Sequence, residues 1–422
     1  MAMILFSVFI ILLIIGVPVA FSIGSAAAIT IAFGLGTNRL MMVVQRMFES
    51  CNSFSLIAVP FFILAGDLLS KGKISRLLVE FCESILGMIR GGLSVVSVLA
   101  GMFFAAISGS GAATTAAVGG ALINEFEARG YDVSDSAALI AAAGTIGVVI
   151  PPSVPMVLYA VIAEVSVSSL FKAGFIPGFV MGSVLIIIAL YEARKYKYPK
   201  GSNFSFVRLV KSFVFAVPGI LMPLIILGGI FSGIFTPSEA AAIAVAYAIL
   251  VSGFVYRDLT LKGLFEIMLT SAKTSAVIMI IIAASGPFGW CLANWKIPET
   301  ISSAVLSISD NKYVIMMLIS IIILIAGVFM ETSSAIILLT PVFLPLIKAL
   351  GISTMHFGVL FVVGIAIGMI TPPVAINLFV ASGITGLPLE NVSRSVVPYL
   401  LGLIIVFLAI VFVPIIFPGL IM

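Results

Sequence analysis

Long apolar stretches, separated by short polar segments, follow one another along almost the whole chain. Residues 3–33 form the first, with a Gly-Pro bend at residues 16–18, and residues 170–190 and 396–414 have a similar character. A helix of about 20 apolar residues crosses a hydrocarbon core of about 30 Å. The pattern therefore predicts an all-α polytopic membrane protein.

Residues 71–90 depart from this pattern, because charged and aliphatic residues alternate there. The apolar positions recur at helical spacing, which is typical of an amphipathic helix. We expect this helix to lie in the plane of the membrane interface as an arm, although a helix in an ordinary cytoplasmic loop explains the pattern equally well. Residues 295–308 occupy the matching place in the second half of the chain and are predicted to form a second arm.

Two other apolar segments, residues 91–128 and 313–350, carry small polar residues at their centres. The first centre reads S-G-S-G-A-A-T-T from Ser108, and the second reads M-E-T-S-S from Met330. Each flank of the first centre has about 15 residues, which is too short to cross the hydrocarbon core alone. We therefore predict two re-entrant helical hairpins, each with a polar tip.

Pro-Pro pairs interrupt two further apolar segments, residues 137–170 and 356–386. The first contains G-T-I-G-V-V-I-P-P-S from Gly144, and the second is G-I-A-I-G-M-I-T-P-P-V-A-I-N from Gly364. Proline has no N–H and crowds the carbonyl four residues earlier, so each pair releases two backbone carbonyls. In a membrane such carbonyls are kept inside protein or beside a water-filled cavity. We predict a broken helix in each segment.

The two hairpins and the two broken helices belong to a sequence repeat. A constant offset of 221 residues relates Pro151 to Pro372 and Gly130 to Gly351. We predict a first repeat over residues 1–200 and a second over 201–422, each with scaffold helices, an arm, a hairpin and a broken helix. Paired, interrupted membrane helices at matching places in two halves are typical of a transporter's binding site.

The segment at residues 191–201 is the most basic loop of the chain and separates the two halves. The excess of positive charge on cytoplasmic loops places it in the cytoplasm. If each half crosses the membrane an odd number of times, the two repeats are inverted relative to each other and both termini lie outside.

Composition narrows the possible functions. Hydrophobic residues make up 62% of the chain and charged residues only 9%, against about 25% in soluble domains. The net charge of +4 is spread over loops, so it concerns membrane topology and we predict no nucleic-acid partner. Three scattered cysteines and a single histidine argue against a disulfide framework, a zinc site or histidine-based catalysis.

Hydroxyl groups, backbone carbonyls and glycines dominate the tips and the breaks. Such hard oxygen donors suit a small cation such as Na⁺, and half-helix ends attract a cation at one end and an anion at the other. The symmetry predicts two Na⁺ sites with an anionic organic solute between them. The first cluster comprises Ser108, Ser110, Thr114, Thr115, Gly144, Thr145, Gly147, Pro151 and Ser153. The second comprises Glu331, Thr332, Ser333, Ser334, Gly364, Gly368, Thr371, Pro372 and Asn377.

Glu331 is the one charged residue between positions 313 and 347. An ionisable residue at membrane depth is a functional-site hypothesis, so we expect it to bind a cation, contact the solute or carry a proton. The alternative is a structural hydrogen bond to a backbone N–H of its own hairpin. Each hydroxyl taken alone is also explained by helix packing.

The paired tips, the paired Pro-Pro segments and the stretch V-P-F-F-I-L-A-G-D-L from Val59 resemble the large membrane subunit of tripartite ATP-independent periplasmic (TRAP) transporters. The resemblance covers essentially the whole chain and favours the sialic-acid branch. It implies an elevator-type carrier of the bacterial inner membrane, in which a transport domain of hairpins and broken helices slides against a scaffold. It also implies Na⁺-driven uptake.

Two partners follow from the same resemblance, a small membrane subunit of about four helices and a periplasmic solute-binding protein. No small-subunit sequence precedes Met1, so we expect that partner as a separate chain. The solute is expected to contact Ser108, Ser110, Ser153, Glu331 and Asn377. The Na⁺ ligands are expected among Ser108, Ser110, Gly144, Gly147, Thr332, Ser333, Gly364, Gly368 and Thr371.

Other functions remain open at this point. A TRAP-type C4-dicarboxylate system and a stand-alone Na⁺/carboxylate carrier would share the same motifs. An intramembrane enzyme could use Ser108 or Ser110 as a nucleophile, but no histidine or lysine is placed nearby to activate it, so we do not predict an enzyme. A channel is disfavoured because two hairpins suggest occlusion of the solute.

Overall fold

The computed structural model describes residues 1–70, 72–200, 204–300, 303 and 311–416, and this part of the chain is helical nearly throughout. Its extended pairing is limited to one antiparallel bridge between Arg90 and Lys200. Within the described residues, seven helices are long and apolar enough to cross a membrane. The predicted all-α polytopic fold is confirmed.

The helices fall into two series that follow the repeat. The first series is α1 (Ala2–Ile14), α2 (Val19–Leu35), α3 (Met41–Cys51), α4 (Ala58–Ser70), α5 (Ile74–Leu86), α6 (Gly92–Ser108), α7 (Gly111–Ala128), α8 (Val133–Thr145), α9 (Val154–Ala163) and α10 (Val167–Lys195). The second series is α11 (Phe206–Phe231), α12 (Pro237–Leu250), α13 (Leu261–Asn294), α14 (Lys312–Phe329), α15 (Thr332–Ala349), α16 (Thr354–Gly368), α17 (Ile376–Thr385), α18 (Leu389–Ser395) and α19 (Val397–Ile416).

The helices predicted for the hairpins and the broken helices are present. α6 and α7 pack on each other as the first hairpin, whereas α14 and α15, the helices of the predicted second hairpin, make few contacts with each other. α8 with α9 and α16 with α17 are the halves of the two broken helices. The predicted hairpin bounds, 91–128 and 313–350, agree with the observed helices to within one residue. α14 and α15 are each long enough to span by length and composition, so re-entry of the second hairpin stays a prediction.

Two predicted segments have different bounds in the structure, and a third agrees closely. Residues 3–33 form two helices, because Gly16 adopts a left-handed backbone (φ +88°) and Pro18 restarts the chain as α2. The first broken helix ends at Ala163, where Glu164 is left-handed and Ser166 caps α10, so residues 167–170 belong to the next helix. The second broken helix begins at Thr354 and ends at Thr385, close to prediction.

Residues 251–265, expected as a loop, are partly helical. A π-helical turn, Val251–Val255, extends α12, and α13 begins at Leu261 and continues for 34 residues. Thr260 starts α13 by accepting a hydrogen bond from the Gly263 N–H, a local signal at its first turn.

The first arm is confirmed as an amphipathic helix, α5, which packs on α11 and on the first hairpin. Its position relative to the membrane interface stays a prediction. In the second arm, predicted at residues 295–308, positions 301, 302 and 304–310 lie outside the described residues.

Helices α1–α4, α12 and α13 pack on one another, and α4 and α13 also contact the hairpins. α1 packs on α2, α13 packs on α2, α3 and α4, and α12 packs on α4. The hairpins and broken helices instead pack on one another across the repeats: α15 lies on α9, and α17 lies on α7 and α8. The second half of each broken helix is therefore held by the hairpin of the other repeat.

The second hairpin approaches the second broken helix backbone to backbone at two glycines. A Cβ added to Gly368 would lie 2.3 Å from the carbonyl carbon of Gly327. The equivalent position in the first hairpin, Gly101, faces the Cβ of Ala143. The absence of side chains at 327 and 368 therefore sets the spacing of α14 and α16.

We expect Gly368→Ala to destabilise the protein, because the new methyl group meets main-chain atoms that cannot move aside. Overpacking of this kind costs about 1–3 kcal/mol. Gly383→Ala is the matched control, since nothing lies within 4 Å of a Cβ there. Thermal unfolding of the two variants in detergent makes the measurement, and equal midpoints would contradict the proposed close approach.

Candidate functional site

The first hairpin tip is closed by its own hydroxyl groups. α6 ends at Ser108, Gly109 turns the chain with φ +61°, and Ser110 caps α7 by accepting from the Ala113 N–H at 3.4 Å. The Ser108 hydroxyl lies 2.9 Å from the Thr114 hydroxyl. These contacts fix the tip and place Ser108 and Ser110 side by side, as predicted for the first cluster.

The first break continues from α8 through a 3₁₀ turn, Ile146–Val148, to the Pro-Pro pair. Ser153 then caps α9, accepting from the Met156 N–H at 3.3 Å. Its hydroxyl donates to the Val148 carbonyl at 2.5 Å. One of the carbonyls released by the prolines is thus satisfied by a side chain from the next half-helix.

The tip of the first hairpin is in close contact with the first break. A Cβ at Gly144 would lie 1.9 Å from the Thr115 hydroxyl, and one at Gly147 would lie 2.5 Å from the Thr114 hydroxyl. Both glycines are therefore needed so that tip hydroxyls can approach the broken backbone. The structure brings together the glycines and the serines that the first cluster comprises.

The second tip uses a carboxylate where the first uses a hydroxyl. Glu331 is equivalent to Ser110 by the repeat offset and caps α15 in the same way. Its Oε2 accepts from the N–H groups of Ser333 at 2.9 Å and Ser334 at 3.1 Å. This is the structural hydrogen bond given above as the alternative for Glu331, and because the residue is also exposed, a contact with solute stays a prediction.

The second break satisfies its released carbonyls with backbone N–H groups. The Gly368 carbonyl accepts from Thr371 at 3.0 Å, and the Met369 carbonyl accepts from Asn377 at 3.0 Å. The Thr371 hydroxyl donates to Ile367 at 2.9 Å. A carbonyl oxygen has two lone pairs, so these groups keep capacity for a cation.

The Cα of Gly364 does not face the other residues of the second cluster. A Cβ there would lie 2.6 Å from Ile323 and 3.0 Å from Phe407, so the position serves the packing of α16 against α14 and α19. Of the predicted cation ligands, Gly364 is the one that the structure places against apolar side chains.

Asn377 joins the two clusters. Its side chain is fully buried, and Nδ2 donates to the Ala141 carbonyl in α8 at 3.1 Å. Its Oδ1 is buried and has no hydrogen-bond partner. An unsatisfied buried acceptor costs about 1–3 kcal/mol, which a cation or a water molecule would relieve.

Met369 makes the second connection between the repeats. Its sulfur accepts a hydrogen bond from the Thr332 hydroxyl at 3.3 Å. A Cβ at Gly111, in the first hairpin, would lie 2.9 Å from the Met369 methyl group. Sequence reasoning did not select Ala141 or Met369, since one contributes a backbone carbonyl and the other an ordinary apolar side chain.

The two breaks differ in their exposure. Pro151, Pro152 and Ser153 are buried, whereas Pro372, Pro373 and Val374 are exposed. The residues that the structure describes hold no group of three or more His, Cys, Asp or Glu side chains that could bind a metal. The available donors are hydroxyls, carbonyls and one amide oxygen, a set that fits a hard monovalent cation.

The fold is that of a polytopic α-helical membrane protein. It resembles the crystal structure of the YdaH transporter of Alcanivorax borkumensis, with a TM-score of 0.67 and 15% identity over 92% of this chain and 90% of that one. At this identity the likeness concerns the fold alone.

Residues 6–416 match the family described as tripartite ATP-independent periplasmic transporter, DctM component. The chain belongs to this family and is a large permease subunit of a TRAP transporter. The C4-dicarboxylate TRAP transporter large permease protein DctM of Pseudomonas aeruginosa is 40% identical over 93% of this chain and 92% of its own length. The relatives are named as permeases and not as enzymes.

Two further relatives carry other solutes in their names. The sialic acid TRAP transporter large permease protein SiaM of Vibrio cholerae is 36% identical over 94% of this chain and 92% of its length. The isethionate TRAP transporter permease protein DctMQ of Oleidesulfovibrio alaskensis is 40% identical over 97% of this chain. This chain spans 65% of the length of the isethionate protein. The predicted family is confirmed, and the sialic-acid branch is one of several that match.

We expect Ser153→Ala to destabilise the fold by about 1–3 kcal/mol, because the buried Val148 carbonyl loses its donor. Ser166→Ala is the control: Ser166 caps α10 by accepting from the Ser169 N–H at 3.2 Å but is exposed. Water can replace that cap, so the loss is expected to be smaller. Equal losses in chemical unfolding would show that Ser153 acts as an ordinary cap only.

Proposed function

We propose that this subunit carries an organic acid anion into the cell across the bacterial inner membrane, together with Na⁺. The observation that carries the proposal is the fully buried Asn377, whose amide oxygen lacks a partner at the point where the two breaks meet. A binding site in a secondary carrier is expected at such a junction of interrupted helices.

The first Na⁺ site is proposed at the first tip and break. Ser108, Ser110, Gly144 and Gly147 lie within one packed unit, since the tip hydroxyls of Thr114 and Thr115 approach both glycines. Hydroxyl and carbonyl oxygens at the end of a half-helix stabilise a cation through their partial negative charge.

The second Na⁺ site is proposed at the second tip and break, with ligands among Thr332, Ser333, Gly364, Gly368 and Thr371. Thr332 is buried beside Met369, and the Thr371 N–H donates to the released carbonyl of Gly368. The Cα of Gly364 packs against apolar side chains, so its contribution would be its backbone oxygen. The Asn377 amide oxygen is an additional candidate ligand for the ion or for the solute.

The solute is proposed to be sialic acid, on the basis of the motif resemblance. C4-dicarboxylate uptake by a TRAP system is the alternative, and a stand-alone Na⁺/carboxylate carrier is a second one. The named relatives support several solutes, so the proposal rests on the class, an organic anion. Contacts are proposed from Ser108, Ser110, Ser153, Glu331 and Asn377.

The proposed movement is an elevator. The hairpins and broken helices pack on one another across the repeats, which supports their moving as one body. The contacts of the hairpins with α4 and α13 would then change during the movement. The family supports two partners, a small membrane permease and a periplasmic binding protein that delivers the solute. The basic loop at residues 191–201 is proposed to face the cytoplasm.

Saturable, Na⁺-dependent uptake of radiolabelled sialic acid is expected in proteoliposomes that contain the chain, its small subunit and the binding protein. C4-dicarboxylates are expected to be poor substrates in the same vesicles. Dicarboxylate uptake would favour the alternative solute, uptake without binding protein would favour the stand-alone carrier, and flux that does not saturate would indicate a channel.

Ser110→Ala and Thr371→Ala are each expected to raise the Na⁺ concentration needed for half-maximal uptake by about tenfold, since each removes one hydroxyl that we assign to a cation site (about 1.4 kcal/mol). Ser183→Ala is the control, because Ser183 is exposed on α10 and donates to the Phe179 carbonyl at 2.8 Å. Na⁺ activation curves of all three variants give the answer. Wild-type activation in both site variants would refute the assignment.

A further inference from the structure

The largely buried carboxylate of Glu83 joins three segments that are distant in sequence. Glu83 in α5 accepts from Arg129 Nη2 at 2.6 Å through one oxygen and from Arg208 Nη2 at 3.0 Å through the other. Arg129 directly follows the last residue of α7, at the end of the first hairpin away from its tip, and Arg208 lies at the start of α11. The Glu83 side chain is 10% exposed, so this cluster is screened by solvent much less than a surface pair.

The cluster lies where the chain passes between the scaffold and the hairpin unit. One passage leads from α5 into α6 and the other leads from α10 towards α11. The two run side by side, because the Gly91 N–H donates to the Pro199 carbonyl at 3.4 Å and Arg90 bridges to Lys200. Two adjacent connections of this kind are where a hinge between the two bodies would be located.

α5 packs on both α11 and the first hairpin, and two further side-chain contacts join it to α11. The Ser212 hydroxyl of α11 donates to the Ser84 hydroxyl at 2.9 Å, and both residues are buried. The rings of Phe81 and Phe213 lie 5.5 Å apart. If α5 stays with α11 when the hairpin unit moves, the Glu83–Arg129 ion pair is a contact between the arm and the hairpin that has to break.

Arg129 has a second acceptor within its own hairpin. Glu125 lies one helical turn earlier on α7, and its Oε2 is 3.1 Å from Arg129 Nη2. If the bond between Arg129 and Glu83 breaks, both arginines still have an acidic partner. Arg208 remains paired with Glu83, and Arg129 remains paired with Glu125. A bond that can break without leaving an unpaired buried charge is suited to a change of state.

We propose that the Glu83–Arg129 bond is a conformational lock that holds the first hairpin against the arm in one transport state and opens when the hairpin unit moves. The proposal rests on the elevator movement proposed above. It assigns to Glu83 a role in the balance between states and not in the binding of Na⁺ or solute.

The test measures the distance between the hairpin and the scaffold directly. Nitroxide labels are attached to cysteines introduced at two exposed positions, Ala116 on α7 and Val214 on α11. The half-buried Cys51 is first replaced by Ser so that it is not labelled. Cys82 and Cys291 are buried and are left in place. Distance distributions are recorded for the chain with its small subunit in vesicles, in Na⁺ and in choline.

Glu83→Gln and Arg129→Gln are each expected to reduce the ratio of the short-distance to the long-distance population by at least about threefold, in the same direction. The control is Glu80→Gln, which removes an exposed pair with Arg76 on the same helix and should leave the ratio unchanged. Arg129→Gln also serves if Glu83→Gln does not fold, because its side chain is the more exposed of the two.

The outcomes separate the two proposals. Two populations in the wild type that neither variant shifts would overturn the lock and leave the elevator intact. A single population in the wild type under both conditions would overturn the elevator movement and the lock with it. A shift of equal size in Glu80→Gln would also overturn the lock, since any loss of charge on α5 would then suffice.

Discussion

The structure depends on one constraint, that a backbone carbonyl released by proline inside an apolar protein must find another partner. At the first break the partner is the Ser153 hydroxyl, and at the second break it is the backbone N–H groups of Thr371 and Asn377. Each solution needs the chain to turn back on itself within a few residues. At the first break the capping residue of the next half-helix, Ser153, is also the residue that stabilises the break, whereas the second half-helix begins at Ala375 without a side-chain cap.

The same constraint accounts for the close contact between the first hairpin and the break of its own repeat. A break that is satisfied locally still exposes polar backbone, and the Thr115 and Thr114 hydroxyls cover it where Gly144 and Gly147 leave room. The second half of each broken helix packs on the hairpin of the other repeat, and Asn377 also donates to the Ala141 carbonyl in the first broken helix. Binding of an ion at one break would therefore affect the structure of the other, because the two broken helices are in direct contact through Asn377 and Ala141.

The sequence predicts the local chemistry well and the contacts between repeats poorly. Pro-Pro pairs and the polar tips depend on neighbours within a few residues, so their spacing locates the hairpins and breaks to within a few residues. The hydrogen bond from Asn377 to Ala141 joins positions far apart in the sequence. Its acceptor is a main-chain oxygen, which every residue has, so the residue type at position 141 does not indicate the contact. The same holds for Gly364, whose packing against Ile323 and Phe407 looks identical in sequence to a ligand position.

Equivalence in sequence does not bring equivalence in environment. Ser110 and Glu331 occupy the same place in the two hairpins, yet the first break is buried and the second is exposed. If the chain is the elevator carrier proposed above, an exchange of these two environments would convert one opening into the other. The carboxylate of the exposed Glu331 caps its own helix without being enclosed by protein, whereas the half-buried Ser110 caps its helix with an uncharged hydroxyl. The two caps therefore agree with the difference in burial, because a charge costs more to enclose than a hydroxyl does.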